Sequence, residues 1–315
     1  MTAPSAWPAR VALALLLMPR ALPGRALAVL PLLAVVWPHP PLAHGQLRLT
    51  VLDAGQGLAV HVQTAHHDLL YDTGPALGPR ADAGSRVVLP YLRWQRVRRL
   101  DALVISHDDL DHSGGAGSVL DGLPVAMVHG DWPSLLADRP VGGRPPVRAC
   151  VAGEGWHWDG VEFDWLWPSP ELRMARDNDR SCVLRIRAQG FTVLIPGDIE
   201  ARAELALRLL SPPGALRADL LVLPHHGSRT SSTDGFLDAV APREAIAAMG
   251  YRNRFRHPAA VVTRRLEARE VVLRRSDRDG ALRYEFLRPG EFPVAQRWRH
   301  LRARYWLAMP GPPGP

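Results

Sequence analysis

Four side chains of metal-ligand type fall within six residues, His107, Asp109, Asp111 and His112, in the stretch Ile105-Ser106-His107-Asp108-Asp109-Leu110-Asp111-His112-Ser113-Gly114-Gly115. Alternate residues of a tightly turned segment converge on one point while their neighbours face away. His107 and Asp109 therefore suit one ion, and Asp111 with His112 a second. Mixed imidazole and carboxylate ligation favours Zn²⁺ or Mn²⁺ over Ca²⁺ or Mg²⁺. The alternative is a solvated Asp-rich loop, which the density of ligand types disfavours.

Such a cluster needs a rigid support and partners from elsewhere in the chain. Leu103-Val104-Ile105 reads as a short buried strand leading into it, and Gly114-Gly115 reads as a tight turn into a helix. Two other apolar runs end in ligand types: Phe191-Thr192-Val193-Leu194-Ile195-Pro196 runs into Gly197-Asp198, and Asp219-Leu220-Leu221-Val222-Leu223-Pro224 into His225-His226-Gly227-Ser228. Asp198 is placed to bridge two cations, and His225 to complete the second site. Strand-like runs lie at residues 47–52, 59–63, 68–71, 102–105, 182–186, 192–195, 220–223 and 245–248, with helices at 87–95, 200–210 and 258–268. Pro258 fits the first turn of the last helix. Residues 271–274 and 281–286 read as closing edge strands joined by an Asp279-Gly280 turn. The order predicts a sandwich of two sheets with outer helices.

This series of motifs resembles the metallo-β-lactamase superfamily, whose signature begins His-x-His-x-Asp-His. Asp109 stands where the second histidine is usual. That replacement, with Gly114-Gly115, resembles the hydrolase domain of the ComEC family, membrane channel proteins of bacterial DNA uptake. Further matching segments are Leu49-Thr50-Val51-Leu52-Asp53-Ala54-Gly55-Gln56-Gly57, Leu70-Tyr71-Asp72-Thr73-Gly74, Asn178-Asp179-Arg180-Ser181-Cys182-Val183-Leu184, Pro224-His225-His226-Gly227-Ser228, Gly250-Tyr251-Arg252-Asn253-Arg254-Phe255-Arg256-His257-Pro258 and Arg275-Ser276-Asp277-Arg278-Asp279-Gly280-Ala281. The resemblance covers roughly residues 47–288.

The resemblance implies an α/β chain with the αββα four-layer metallo-β-lactamase fold and a centre of two divalent ions, Zn or Mn. His107 and Asp109 would hold one ion together with Asn178 or Asp177, which stand where the superfamily has its third histidine; an ordinary hydrogen-bonding turn is the equal alternative there. Asp111, His112 and His225 would hold the other ion, with Asp198 bridging. Asp53 and Asp72 would order neighbouring loops. His226 and Ser228 would donate hydrogen bonds to a ligand carboxylate or phosphate, and Asn253, Arg254 and Arg256 would face substrate. Asp111 and His257 would be catalytic, His257 protonating the leaving oxygen, with a structural helix-capping contact as its alternative. The implied function is a metal-dependent phosphodiesterase or nuclease acting on DNA, single-stranded in particular, that degrades the non-transported strand beside the membrane channel region and the DNA-uptake machinery. No nucleotide cofactor is implied. The implied location is the inner membrane, with the hydrolase domain on the extracytoplasmic side. A small-molecule metallo-hydrolase and a non-catalytic DNA-binding or gating module are the competing classes.

Composition bounds the rest. The 315 residues are 47% hydrophobic, enough for one large domain with extensions. The net charge is +7, and all 38 basic residues are arginine, the better fork for phosphate. Arginines alternate with aromatics at residues 93–99, 252–256 and 297–304; a solvated surface is the expectation for the first and last, a substrate-facing role for the middle one. Residues 1–45 form a hydrophobic segment and linker. Its apolar runs, 11–18 and 26–37, are each short of the ~20 residues of a clean membrane span, so it reads as the end of a longer membrane region, an interrupted anchor or an export signal. Residues 46–288 form the hydrolase domain and 289–315 a basic extension with a disordered Pro/Gly tail at 309–315. Cys150 and Cys182 read equally well as a disulfide or as two buried thiols.

Overall fold

In the computed structural model the described residues are 7–19, 27–31, 41–78, 81–130 and 145–302. The remainder of the second apolar run and of the linker, residues 32–40, and the tail expected at 309–315 lie outside them. The chain divides into two compact units, Met1–Pro41 and Leu42–Pro315. The first contains a helix at Trp7–Leu16. No helix among the described residues is long and apolar enough to cross a membrane.

The larger unit opens with an antiparallel meander of β1 (Leu47–Val51), β2 (Val60–Gln63) and β3 (Asp68–Tyr71). A ribbon of β4 (Ala76–Gly78) and β5 (Ala81–Asp82) leads to helical segments at Gly84–Val88 and Leu89–Trp94. β6 (Ala102–Val104), β7 (Val128–His129) and β8 (Val147–Arg148) then extend the meander in parallel. The second sheet runs antiparallel through β9 (Gly155–Trp158), β10 (Val161–Trp167), β11 (Val183–Ala188) and β12 (Phe191–Ile195), and parallel through β13 (Leu220–Val222), β14 (Glu244–Ala247) and β15 (Val272–Arg275). β16 (Leu282–Phe286) and β17 (Gln296–Arg297) return to the first sheet beside β1, giving sheets of eight and seven strands.

Period-two alternation builds the four layers. Leu184, Ile186, Val193, Ile195, Leu220 and Val222 face the opposite sheet, where they meet Leu47, Leu49 and Val51. Their neighbours Val183, Leu194 and Leu221 face helices Ala201–Leu210, Asp234–Val240 and Ala260–Glu267. On the other outer face Leu70, Leu103 and Ile105 pack against Val88, Leu92 and Val119. Strands buried on both faces read as continuous apolar runs, and each such side chain contributes about 1.5–3 kcal/mol of burial. This is the αββα metallo-β-lactamase fold.

Three expectations are corrected. Residues 272–275 and 282–286 are not a hairpin. β15 edges one sheet and β16 is an inner strand of the other, and a helical turn at Ser276–Asp279 crosses between them. The last long helix starts at Ala260, two residues after Pro258, which follows a cis bond. The stretch expected as an extension adds β17 and a helix at Trp298–Leu301, and Arg299 reaches back to the Asp53 carboxylate at 2.6 Å. Residues 155–167 form a further hairpin; its turn residues Asp159 (φ 50°) and Gly160 (φ 79°) are both left-handed, as the twist of a two-residue hairpin turn requires.

Cys150 and Cys182 form a disulfide. It closes a sequence separation of 32 residues, which corresponds to about 3–4 kcal/mol of unfolded-state entropy. Reduction, or Cys150→Ser, is expected to lower the urea midpoint accordingly. An unchanged midpoint with and without reductant would show that the bridge constrains nothing.

Candidate metal centre

Ser106 anchors the start of the ligand loop. Its backbone N–H donates to Asp72 Oδ1 at 2.7 Å and its hydroxyl to Asp72 Oδ2 at 2.8 Å. The loop then turns at Asp109, the residue before a one-turn helix, Leu110–Ser113, that carries Asp111 and His112 inward; the Asp109 side chain makes no capping bond. The two glycines that follow serve close packing and not the turn. Both have negative φ, −59° and −92°, but a Cβ on Gly114 would sit 2.2 Å from the Ala76 nitrogen and one on Gly115 2.4 Å from that of Gly84.

Three imidazoles converge. His112 Nε2 lies 3.1 Å from Asp198 Oδ1 and 3.3 Å from His226 Nε2. His226 Nε2 lies 3.3 Å from Asp111 Oδ2 and 3.6 Å from Asp198 Oδ2. His107 Nε2 is 3.4 Å from Asp109 Oδ2. Ligand atoms of His107, His112 and Asp198 fall within 4.8 Å of one another, as do those of Asp111, His112 and His226. On each ring Nδ1 is already held: by Ser106 Oγ at 3.0 Å for His107, Asp72 Oδ2 at 2.7 Å for His112 and the Ala248 carbonyl at 2.8 Å for His226. Such second partners leave Nε2 as the free face, the usual arrangement behind a metal-ligating histidine. His107 Nε2 is buried and makes no hydrogen bond. An orphaned buried nitrogen among carboxylates fits a divalent cation.

The charges are coupled. Burial alone would lower the His112 pKa, but the carboxylates of Asp198 and Asp72 push it well above its ordinary value. Burial likewise opposes His226, which Asp198 and Asp111 push up. Burial would raise Asp198, yet His112 and His226 hold it well below the usual carboxylate range. The His107 ring beside it holds the Asp109 carboxyl below its ordinary value. These groups are a preformed set of anions and imidazoles whose protons a cation would displace.

His226, rather than His225, joins the cluster. Both residues are left-handed (φ 52° and 55°), and this kink turns His225 outward. Its Nδ1 lies 3.2 Å from Thr230 Oγ1 and 3.4 Å from Glu200 Oε1, and its Nε2 3.8 Å from Asp198. Asp177 is also engaged elsewhere, accepting from the Asp108 N–H at 2.9 Å and pairing with Arg180. The Asn178 carbonyl accepts from the Ser181 N–H and hydroxyl at 3.0 and 2.7 Å, so this segment behaves as the hydrogen-bonding turn. Ser228 Oγ bonds Thr230 Oγ1 at 3.0 Å. Asp72 orders the loop from beneath, and Asp53 is tied to Arg299.

Asn253 does not face outward. Its side chain clamps the loop, accepting from the His257 N–H at 2.8 Å and donating to the His257 carbonyl at 2.9 Å. The His257 ring lies 6.0 and 6.4 Å from those of His225 and His226. Burial, then His226 and His225, push its pKa down to about 4, so near neutral pH the ring carries no charge. Arg254 and Arg256 are exposed, beside Tyr251 (60% exposed) and Phe255 (51%). A cavity of about 320 Å³ adjoins His107, lined also by Asp177, Arg180, Ser169 and the disulfide.

The chain is 40% identical over 297 residues to the competence protein ComA of Neisseria gonorrhoeae, covering 94% of this chain and 40% of that one. It is 33% identical over 240 residues to Recombination protein 2 of Haemophilus influenzae, covering 76% and 29%. It thus spans well under half the length of these relatives. Among solved structures the metallo-β-lactamase fold protein YhfI of Bacillus subtilis superposes with a TM-score of 0.52 at 13% identity, over 76% of this chain and 99% of that one. The family model described as the metallo-beta-lactamase superfamily matches residues 52–251, and the chain belongs to that superfamily.

Proposed function

We propose that the chain is a metal-dependent phosphodiesterase that cuts DNA in competence-related uptake, degrading the strand not carried through a membrane channel. The observation that carries the reading is the convergence of His107, His112, His226, Asp111 and Asp198, with Asp109 at its rim, next to an exposed loop of alternating arginines and aromatics. Asp109 and His107 would hold one ion, Asp111, His112 and His226 the other, and Asp198 both. When bound, divalent ions supply Lewis-acid polarisation of a phosphoryl group and acidify a water molecule. The chain's own residues orient the reactants. Arg254 and Arg256 offer forks to backbone phosphates, and Tyr251 and Phe255 offer faces on which bases stack. His257, neutral near pH 7, offers a hydrogen-bonding nitrogen beside the centre. Relatives named for competence and recombination support a DNA substrate. The disulfide suits an oxidising, extracytoplasmic location.

The test is cleavage of single- and double-stranded DNA with Mn²⁺, Zn²⁺ or chelator. Cleavage is expected with metal only, single strands preferred, and Asp111→Ala should reduce it on the order of 100-fold or more. Intact DNA with every metal, in folded and metal-loaded protein, would sink the reading. Hydrolysis of a lactam or thioester instead would establish the small-molecule class.

A further inference from the structure

A second cavity, of about 330 Å³, lies on the outer face of the first sheet and shares no residue with the metal cluster. Its floor is Thr50 of β1 and Arg283 of β16; its walls include Tyr91, Trp94 and Trp298, with Asp53 at the rim. We propose that this cavity binds one nucleotide, its base against the tryptophans and its phosphate on Arg283.

Two polar groups of the cavity floor, Arg283 and Thr50, both face the Tyr91 hydroxyl. Arg283 is only 9% exposed, and among the described residues it forms no ion pair with a carboxylate; its guanidinium lies 5.7 Å from the Trp94 ring centroid. Neighbouring arginines differ. Arg48 meets Glu285 at 2.7 Å and Arg299 meets Asp53 at 2.6 Å. Beside Arg283, across the β1–β16 pairing, Thr50 Oγ1 is buried with no hydrogen-bond partner. A buried cation without an anion costs stability, and it lines the same cavity as the poorly bonded Thr50 hydroxyl.

The walls say what the missing anion carries. Trp94 and Trp298 meet edge to face with centroids 5.3 Å apart. Tyr91 is pinned by a 3.1 Å contact from its hydroxyl to His61, which Asp68 holds in turn at 2.9 Å. An aromatic wall beside an arginine fork takes a planar ring bearing an anionic group, and the Thr50 hydroxyl adds a hydrogen bond for a sugar oxygen. Base, sugar and phosphate match the three in order, and the volume lies within the range of small-molecule sites. A free nucleotide and the terminal nucleotide of a strand present the same chemistry.

The test is calorimetric titration of the whole chain, with metal chelated so that the metal centre adds no heat. The probes are a deoxynucleoside monophosphate, its nucleoside, inorganic phosphate and a tetranucleotide. The monophosphate should bind at least about tenfold tighter than nucleoside or phosphate, and Arg283→Met should weaken it about tenfold or more. Without ligand, Arg283→Met should melt higher than wild type, because an unpaired buried cation is gone. Ligand should raise the wild-type Tm and not that of the variant. Thr50→Val should fold normally and weaken binding. A tetranucleotide that binds as tightly identifies the strand end as ligand; its exclusion identifies the free nucleotide. The proposal is overturned if Arg283→Met melts lower without ligand, if it binds as tightly as wild type, or if inorganic phosphate matches the nucleotide. Any of these leaves the metal-centre reading intact, since neither depends on the other.

Discussion

His226→Ala is expected to strip the centre of metal while His225→Ala leaves metal content near wild type. His226 Nε2 lies within 3.6 Å of both Asp111 and Asp198, and its Nδ1 is fixed on the Ala248 carbonyl. Its loss removes the neutral nitrogen donor from one ion and leaves two carboxylates facing each other across the gap. Affinity should fall at least about 100-fold, beyond the 10–100-fold typical of outer partners. His225 instead sits against Glu200 and Thr230, so its removal should alter activity more than metal content. Elemental analysis after dialysis decides the matter, and equal metal loss in both variants would overturn the assignment. The same charges set a pH dependence. His112 and His226 have raised pKa values, so their contribution to the metal-free protein is full below the ordinary 6.5 and lost as pH rises through the folded values. Asp198 is lowered, so its contribution is present above the ordinary 3.8 and lost as pH falls through its folded value. Metal binding displaces the imidazole protons. Chelated protein should therefore gain stability on mild acidification while metal-loaded protein loses it, and melting curves with and without chelator at several pH values should diverge with opposite slopes.

The contrast between the two adjacent histidines marks how far the sequence could be read. Apolar runs ending in His107, Asp198 and the His225-His226 pair were legible because buried parallel strands announce themselves and the loop at each end holds the chemistry. Which histidine turns inward was not, because it depends on two consecutive left-handed residues that nothing in their identity requires. Asp177 and Asn178 show the same limit: a polar turn beside a centre satisfies its own backbone as readily as it offers a ligand. The β9–β10 hairpin carried a legible signal, Asp159-Gly160 between alternating aromatics, obscured by the density of tryptophan. The crossing at Ser276–Asp279 had a misleading one. Asp279-Gly280 between apolar runs is the pattern of a hairpin turn, and only the second sheet's edge at β15 and the first sheet's need for a strand beside β1 separate the two runs. The disulfide was undecidable from two cysteines alone.

Asp72→Ala is expected to be the most damaging single change that touches no proposed metal ligand directly by coordination. Asp72 is fully buried and takes three hydrogen bonds, from the Ser106 N–H at 2.7 Å, the Ser106 hydroxyl at 2.8 Å and His112 Nδ1 at 2.7 Å. Alanine leaves a backbone amide and an imidazole nitrogen buried without acceptors, which costs about 3–5 kcal/mol by analogy with broken buried pairs. Asp72→Asn separates structure from chemistry. Its carbonyl oxygen can still accept from Ser106, but an amide group turned toward His112 donates, which moves the imidazole proton to Nε2 where a metal must bind. The asparagine variant should keep most of the urea midpoint yet bind metal about 10–100-fold more weakly, and added metal should restore its activity. Alanine should lose both. If Asp72→Ala unfolds at the wild-type midpoint and binds metal normally, then the loop from Ser106 to His112 is held by its packing against Ala76 and Gly84, and the carboxylate beneath it has no part in aiming His112 at the centre.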